Sequence, residues 1–396
     1  MKAWQLPLIA VTSVGSTVYA VQPQGIQLGS GVTMLPGVEV SISNDSNIYL
    51  DESAETSSRI TKIRPNVALV ADLGTTQLNA YYQLENGSYS EDSDNNYLDQ
   101  LFVLGVDVEM TSRQALGLDL SINAGHDPKG SGSTQNSDVD AVDIDEFKEL
   151  KLGADYTYGA DSAFANVTGY LESYGKTYST NKDLTASLEH DKIKMGALMA
   201  LRVTNKTRGL VEIRNTTISY SDNSDVAKNK EGSELKLLVG ASWSLAGKTT
   251  GDVKLGMSDR SFDESENDGD SRFSWEAGVT WAPRTYSIVN FITSQESNET
   301  AGGGSHVATS TIMVGWEHQF STKFGLELNL ANIAEEYVNS GDNRDDNTLS
   351  YGVKGVFSPN KMLDIKLGLD QSGRDSNVNS YDYDRQIVTL GVELAI

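Results

Sequence analysis

The sequence predicts an all-β protein, a transmembrane antiparallel β-barrel of about eighteen strands. Three observations carry this prediction: strict alternation at the C-terminus, a repeating rhythm of long alternating runs along the body, and no apolar run after the N-terminus long enough for a membrane helix. Barrel strands with one face in lipid and one in a wet lumen alternate in this way, and short turns and longer loops join them in turn.

The N-terminus resembles a secretory leader. Lys2 supplies a positive start, a short apolar stretch follows, and residues 18–20 read Val-Tyr-Ala, an A-x-A-like cleavage site. We therefore expect a signal peptide over residues 1–20. Residues 21–34 would form a periplasmic or lumenal N-terminal segment, and residues 35–396 the outer-membrane barrel.

The body repeats one theme, an alternating run of roughly 10–14 residues bounded by turn residues. Sixteen strands is the alternative count, because boundaries read from sequence are loose. A soluble β-sandwich also alternates, but with strands of about 5–6 residues. The predicted strands are 35–43, 59–72, 76–86, 97–110, 113–126, 145–158, 162–174, 192–203, 208–220, 232–245, 249–262, 271–282, 286–296, 307–320, 323–337, 347–358, 362–374 and 384–396.

The connections fall into two classes, which predicts short periplasmic turns and longer acidic extracellular loops. The short ones are 74–76, 111–112, 159–161, 246–248, 283–284, 321–322 and 358–361. The long ones, rich in Asp, Ser, Asn and Gly, are 44–57, 87–96, 127–144, 175–191, 221–231, 263–270, 297–306, 338–346 and 375–383. Charged loops are most often simply solvated, so their acidity alone indicates no ligand.

The last strand carries a candidate insertion signal. Its apolar side chains at 390, 392, 394 and 396 share one face, and the pattern ending Gly391, Leu394, Ile396 resembles the C-terminal signal of bacterial outer-membrane barrels. Leu394 and Ile396 are aliphatic where aromatics are usual. The resemblance implies recognition by the barrel assembly machinery.

Composition excludes several classes of function. The chain has 396 residues, a net charge of −24 and no Cys. Strong negative charge argues against a nucleic-acid partner, and the lack of Cys excludes disulfides and thiolate metal sites. Seventeen Tyr and five Trp suit the aromatic girdles of a barrel, although they also suit ordinary strands.

No motif predicts catalysis, a cofactor or a strong metal site. The acidic stretch 263–270 fails the EF-hand register, because Trp275 stands where the bidentate Glu belongs. Weak divalent-ion binding there stays open, and would screen the rim against anionic lipopolysaccharide. The four histidines are far apart in sequence and form no H-E-x-x-H pair. We expect no enzymatic activity.

The polar positions of the alternating runs predict the lining of a lumen. Both signs of charge occur, so the lining predicts no plain preference for anions or cations. The alternative is that these charges pair across neighbouring strands and stiffen the wall. An eighteen-stranded barrel is wide enough for an aqueous channel unless loops or a plug fill it. The pore-lining candidates are Arg64, Asp107, Asp119, Lys236, Asp252, Lys254, Glu327, Lys354, Asp364, Lys366, Asp370 and Glu393.

Two segments are candidates for a constriction. One is the loop 127–144, with Gly130-Ser131-Gly132, and the other is the mature N-terminal segment 21–34, which contains three glycines.

Short motifs in the first third of the chain bring one family into view. The match covers about residues 30–132 and resembles the β-barrel porins encoded in exopolysaccharide-secretion loci (EpsL-like). The first loop, Asn-Asp-Ser-Asn, departs from the aromatic-containing form associated with that family. The motifs are Gly31-Val32-Thr33-Met34-Leu35-Pro36-Gly37-Val38, Asn44-Asp45-Ser46-Asn47-Ile48, Ser57-Ser58-Arg59-Ile60 with Pro65, Gly87-Ser88-Tyr89, Asp94-Asn95-Asn96-Tyr97-Leu98-Asp99 and Arg113.

This resemblance implies a Gram-negative outer-membrane barrel that helps an extracellular polysaccharide reach the cell surface. It implies periplasmic polysaccharide-export proteins and an inner-membrane copolymerase as partners, with outer-membrane lipid around the barrel. Two alternatives stay open: a general or sugar-selective diffusion porin, and a surface adhesin or matrix anchor.

Overall fold

The computed structural model describes residues 25–29, 31–139, 141–222, 224–245, 248–263 and 267–396. The predicted leader, 1–20, lies outside the described residues. The division into leader, N-terminal segment and barrel therefore stays a prediction.

Nineteen strands make up a single antiparallel sheet. The strands are β1 (Ile26–Gly29), β2 (Val32–Asp45), β3 (Ser58–Asp72), β4 (Thr76–Tyr89), β5 (Tyr97–Thr111), β6 (Gln114–Asp127), β7 (Asp145–Tyr158), β8 (Ala165–Tyr178), β9 (His190–Arg202), β10 (Thr207–Tyr220), β11 (Gly232–Leu245), β12 (Thr249–Phe262), β13 (Asp270–Arg284), β14 (Ser287–Asn298), β15 (His306–Gln319), β16 (Phe324–Val338), β17 (Asp345–Asn360), β18 (Leu363–Ser376) and β19 (Tyr383–Ala395).

The sheet closes on itself between its last and second strands. β19 pairs with β2 from Ile387 opposite Asp45 to Ala395 opposite Gly37, and each strand from β2 onwards pairs with its neighbours in chain order. Closure removes the free edges that an open sheet would expose. The predicted all-β antiparallel barrel of about eighteen strands is confirmed: β2 to β19 form the barrel, and each corresponds to one predicted strand.

The short strand β1 was not predicted. It pairs with the first residues of β2, with Ile26 opposite Met34, beyond the point where β19 ends. It therefore continues the pairing along β2 past the last residues of β19, and its four residues are exposed.

The connections alternate between two ends of the barrel. Eight short ones, 73–75, 112–113, 159–164, 203–206, 246–248, 285–286, 320–323 and 361–362, lie at what we call the short-turn end. Nine others lie at the long-loop end and hold two single-turn helices, α1 (Lys182–Thr185) and α2 (Asp225–Lys228). Four 3-10 turns lie there too: Ser93–Asn95, Gly132–Thr134, Ala186–Leu188 and Asn379–Tyr381. No helix within the described ranges is long and apolar enough to cross a membrane.

The outer face is apolar because successive strand residues point to opposite sides of the sheet. Val239, Leu367 and Leu390 are 60%, 60% and 54% exposed, although a soluble protein would bury such residues. At the short-turn end, exposed aromatic side chains form part of a girdle of the kind found at membrane interfaces. They are Tyr158, Phe164, Trp281, Tyr286, Phe320 and Phe324.

Candidate functional site: the lumen and its closed mouth

The twelve predicted lining residues all lie on the face of the sheet opposite to the exposed apolar side chains. Lys236, for example, is 4% exposed between Leu235 and Leu237, which are 38% and 52% exposed. Lys366 and Asp370 alternate in the same way with the exposed apolar residues of β18. Whether these residues line a conducting path stays a prediction.

One charged ladder spans the closing seam. Lys366 Nζ lies 2.5 Å from Glu393 Oε2 and 3.1 Å from Glu39 Oε2. Arg64 continues the ladder, 3.1 Å from Glu39 and 2.6 Å from Glu85. The ladder therefore joins side chains of β18, β19, β2, β3 and β4 across the point where the barrel closes.

A second cluster is buried inside the wall formed by β8 to β13. Arg214 and Lys254 each contact both Glu212 and Glu276, at distances of 2.6 to 2.8 Å. The Tyr170 hydroxyl donates to Glu212 at 2.6 Å. Cross-strand pairs of opposite charge stabilise a sheet, and this arrangement satisfies four buried charges together.

Sequence reasoning found only Lys254 of this cluster. Glu212 and Arg214 alternate with Val211 and Ile213 inside a correctly predicted strand, so their facing was readable. Their pairing with Glu276 was not, because it depends on side-chain reach over neighbouring strands.

The other two predicted bases are paired as well. Lys354 lies 2.7 Å from Glu327, and Lys236 lies 3.6 Å from Glu234. All five bases of the predicted lining are thus neutralised by carboxylates. Four of these bases pair with carboxylates on other strands, as the cross-strand alternative expects, whereas Lys236 pairs with Glu234 within β11.

Several carboxylates are placed differently, beside glycine. In one row across β5, β6 and β7, Asp119 stands between Gly105 and Gly153. In the next row, Gly117 stands between Asp107 and Asp155. The aspartate side chains lie over the glycines: a Cβ added to Gly117 would collide with the Asp155 carboxylate, and one added to Gly105 or Gly153 would contact Asp119.

Three predicted acids make no ion pair among the described residues, namely Asp119, Asp252 and Asp370. Asp119 and Asp370 are exposed, and Asp252 is half-buried. Asp370 is opposite Gly352, and Asp252 opposite Gly278. Asp364, by contrast, is fully buried, and Asp107 is half-buried. Among the predicted lining residues, the exposed charge that has no ion-pair partner within the described ranges is therefore negative.

The long-loop end is covered by what we call the crossing loop, residues 128–139 between β6 and β7. Lys129 contacts Asp92 at 3.3 Å, in the β4–β5 connection. Further along, Asn136 donates to Ser380 at 3.0 Å, in the β18–β19 connection. The tip of the crossing loop, Gln135 and Asn136, therefore contacts a connection that is not adjacent to it in the barrel.

The farthest contact is with Arg344 in the β16–β17 connection, almost opposite on the ring of long loops. Both terminal nitrogens of Arg344 donate to Gln135 Oε1 at 3.2 Å. Arg344 also binds Asp346 and lies over the rings of Tyr337 and Tyr381, 4.3 and 3.3 Å from their centres. The loop 127–144, a predicted constriction candidate, thus crosses the mouth.

A charged core around Glu299, in the β14–β15 connection, joins strand ends on the other side of the mouth. Glu299 contacts Arg260 at 3.0 Å and Lys192 at 3.4 Å, and Tyr220 donates to it. Burial raises the pKa of Glu299, but the two cations outweigh it and hold that pKa well below its usual range. Ala227 of α2 packs beside Tyr220.

Histidines at the long-loop end contribute to packing there. His126 contacts Asp99 at 3.0 Å, and the buried His306 contacts Asp270 at 3.0 Å. Within the part of the chain that the structure describes, no group of three or more His, Asp or Glu side chains is arranged to hold a metal ion. Residues 264–266 of the acidic stretch 263–270 lie outside it.

Comparison with known proteins now settles the family. A family model described as "Putative beta-barrel porin 2" matches residues 19–396. The chain belongs to this β-barrel porin family. No curated protein sequence matches the chain significantly.

Several solved structures are similar to this porin-family chain. A BenF-like porin from Pseudomonas fluorescens Pf-5 aligns with a TM-score of 0.50 at 9% identity, covering 92% of this chain and 99% of that one. OccK2 (OpdF) from Pseudomonas aeruginosa aligns at 0.49 and 7% identity, covering 93% and 98%. A bacterial polysaccharide outer membrane secretin aligns at 0.35 and 10%, covering 91% and 97%. The BenF-like porin, at 9% identity, shows a shared fold and nothing more.

Proposed function

We propose that this β-barrel porin lies in the outer membrane of a Gram-negative bacterium and assists export of an extracellular polysaccharide through its lumen. The observation that carries the proposal is the polar inner wall inside a closed barrel with an apolar outer face. A barrel whose only task was anchoring would gain nothing from so much charge on its inner face.

The pairing of charges supports a sugar chain as the cargo. A conduit must attract its cargo enough to admit it and weakly enough to release it. Ion pairs such as Lys354–Glu327 and Lys366–Glu393 present a polar surface with little net charge. Hydroxyl-rich sugars would exchange hydrogen bonds along such a surface without being held at one point.

The resemblance to the barrels of exopolysaccharide-secretion loci names the expected partners. We propose a periplasmic polysaccharide-export protein as the donor of the polymer, working with an inner-membrane copolymerase. The short-turn end, with the exposed strand β1 at the seam, would face the periplasm and meet that protein. Insertion would use the barrel assembly machinery and the C-terminal signal at Gly391, Leu394 and Ile396.

A diffusion porin is the second candidate, because the family is one of porins and the BenF-like porin shares the barrel fold. In that case small solutes would enter through the same lumen. The two functions differ in what a deletion strain loses.

The test is polysaccharide measured in a clean deletion strain, separated into secreted and periplasmic fractions. The export proposal predicts loss of secreted polymer, retention inside the cell and rescue by the intact gene. Unchanged secretion, together with slower uptake of small sugars, would replace it with the diffusion-porin function.

A further inference from the structure

We propose that the tip of the crossing loop is a gate, latched by Arg344, that closes the mouth and swings away to let cargo pass. This inference rests on the proposed channel function. The base of the crossing loop is the fixed part and its tip, Gln135 and Asn136, is the moving part. The two parts differ in the contacts that hold them.

The base of the crossing loop is fixed. Lys129 is 4% exposed and paired with Asp92, which also accepts a hydrogen bond from Tyr49 at 2.7 Å. Gly130 has a φ of +81°, and a Cβ added there would collide with the carbonyl oxygen of Tyr49. Thr134 is fully buried. The loop therefore has a firm hinge region on the β4–β5 side.

The tip, in contrast, is held by polar contacts of a neutral side chain. Gln135 reaches Arg344 through a single amide oxygen, and Asn136 meets Ser380 in an exposed hydrogen bond. Hydrogen bonds of this kind contribute little net stability, and somewhat more where a charged group takes part, because each replaces a hydrogen bond to water. Because only a few such contacts hold the tip, a conformation in which the tip has left them would be populated as a minor state.

Arg344, which binds the tip, is held in place by contacts that do not involve the tip. The Arg344 side chain is 3% exposed, pairs with Asp346 and lies over Tyr337 and Tyr381. These contacts come from its own strand ends and the neighbouring connection. Arg344 would stay in place when Gln135 leaves, so the latch can close again on a preformed partner.

The loops on the other side of the mouth are held together by the ion pairs of the Glu299 core. Glu299 bridges Arg260 and Lys192, which stand on β12 and β9, and all three side chains are largely shielded from water. Removing one partner of a buried ion pair is strongly destabilising, because the other charge is left buried and unpaired. Opening is therefore expected at the Gln135–Arg344 side and not at the Glu299 side.

A cross-linking experiment tests the gate in the full-length protein, which contains no native cysteine. Asn136→Cys and Ser380→Cys are introduced together and treated with a short bis-methanethiosulfonate reagent in planar bilayers. We expect cross-linking to abolish most of the ion conductance, and reductant to restore it.

Two controls isolate the effect of the latch. Ser233→Cys with Ser261→Cys joins exposed residues opposite each other on β11 and β12, so cross-linking there should leave conductance unchanged. Gln135→Ala removes the latch without any reagent and should raise the open fraction several-fold.

The outcomes separate the gate from the channel. Conductance that is present in the unmodified protein and insensitive to the 136–380 cross-link overturns the gate and leaves the channel standing. A barrel that stays silent before and after treatment, also as Gln135→Ala, overturns both.

Discussion

Asp119 illustrates how much a single lumenal side chain depends on its neighbours. It lies exposed between two glycines, while the bases of the inner wall are already paired. Its carboxylate makes no ion pair within the described residues, so we expect it to attract cations to the inner face.

We predict that Asp119→Asn reduces the preference of the pore for cations. Reversal potentials under a salt gradient should shift toward the anion side, with assembly unchanged. Glu55→Gln, on an exposed outer loop, is the matched control and should not shift them. An unchanged reversal potential in Asp119→Asn would remove this residue from the ion path.

The bases of the wall should behave in a different way, because their charge is used in structure. We predict that Lys254→Met lowers barrel stability by about 3–5 kcal/mol, since Glu212 and Glu276 would each lose a partner. The measurement is the midpoint of heat-modifiable migration on gels. Lys248→Met, in an exposed turn, should migrate as wild type; an equal midpoint for both would contradict the structural role.

The sequence predicts that these lysines point inward, but it does not predict whether they form ion pairs. Alternation within a strand places Lys254 and Lys366 on the inner face without any knowledge of the neighbours. Whether a lysine is free or neutralised depends on which strands close beside it, and the Glu39–Lys366 contact joins residues far apart in sequence.

At the scale of the strand, the alternation of apolar and polar residues determines which face each side chain points to. A one-residue slip in register would turn every apolar side chain of β18 into the lumen. That is why all eighteen barrel strands were predictable from alternation and turns alone. β1 was not, since four exposed residues carry no periodic pattern.

We predict that Leu367→Arg on β18 or Leu390→Arg on β19 impairs assembly. Both residues point outward, and a charge on the lipid face costs about 2–4 kcal/mol near the midplane. Folded yield and heat-modifiability provide the measurement, with Leu367→Met as control. Normal yield of the arginine variants would contradict the assigned outer face.

The loops mark the limit of sequence reasoning at this scale. Residues 127–144 were a constriction candidate because of length and glycine content. Their contacts with Arg344 and Ser380 could not be read, because they depend on the barrel bringing distant connections to one mouth.

At the long-loop end, the Glu299 core should persist in acid. A carboxyl whose pKa is depressed by folding stabilises the protein above its unfolded value of 4.5, and loses that contribution only as pH falls through the lower folded value. We predict that protease cleavage within 299–305 is unchanged from pH 7 to pH 5. Increased cleavage at pH 5 would contradict the charged core.

At the scale of the whole molecule, the described features occur together in one closed barrel. They are an apolar outer face, a seam joined by the Glu39–Arg64–Lys366 ladder, a polar inner face and a loop that crosses the mouth. Membership of a porin family fits that architecture. The cargo is the part that no strand pattern specifies, because a polar wall suits many hydrophilic solutes.

The most direct test of the account is release of a neutral oligosaccharide trapped in proteoliposomes, compared between the wild-type protein and Gln135→Ala. The account predicts that both release it and that the variant does so several-fold faster, while liposomes without protein retain it. Full retention by both proteins, once correctly folded barrels are verified by heat-modifiability, would contradict a polar lumen that conducts sugars.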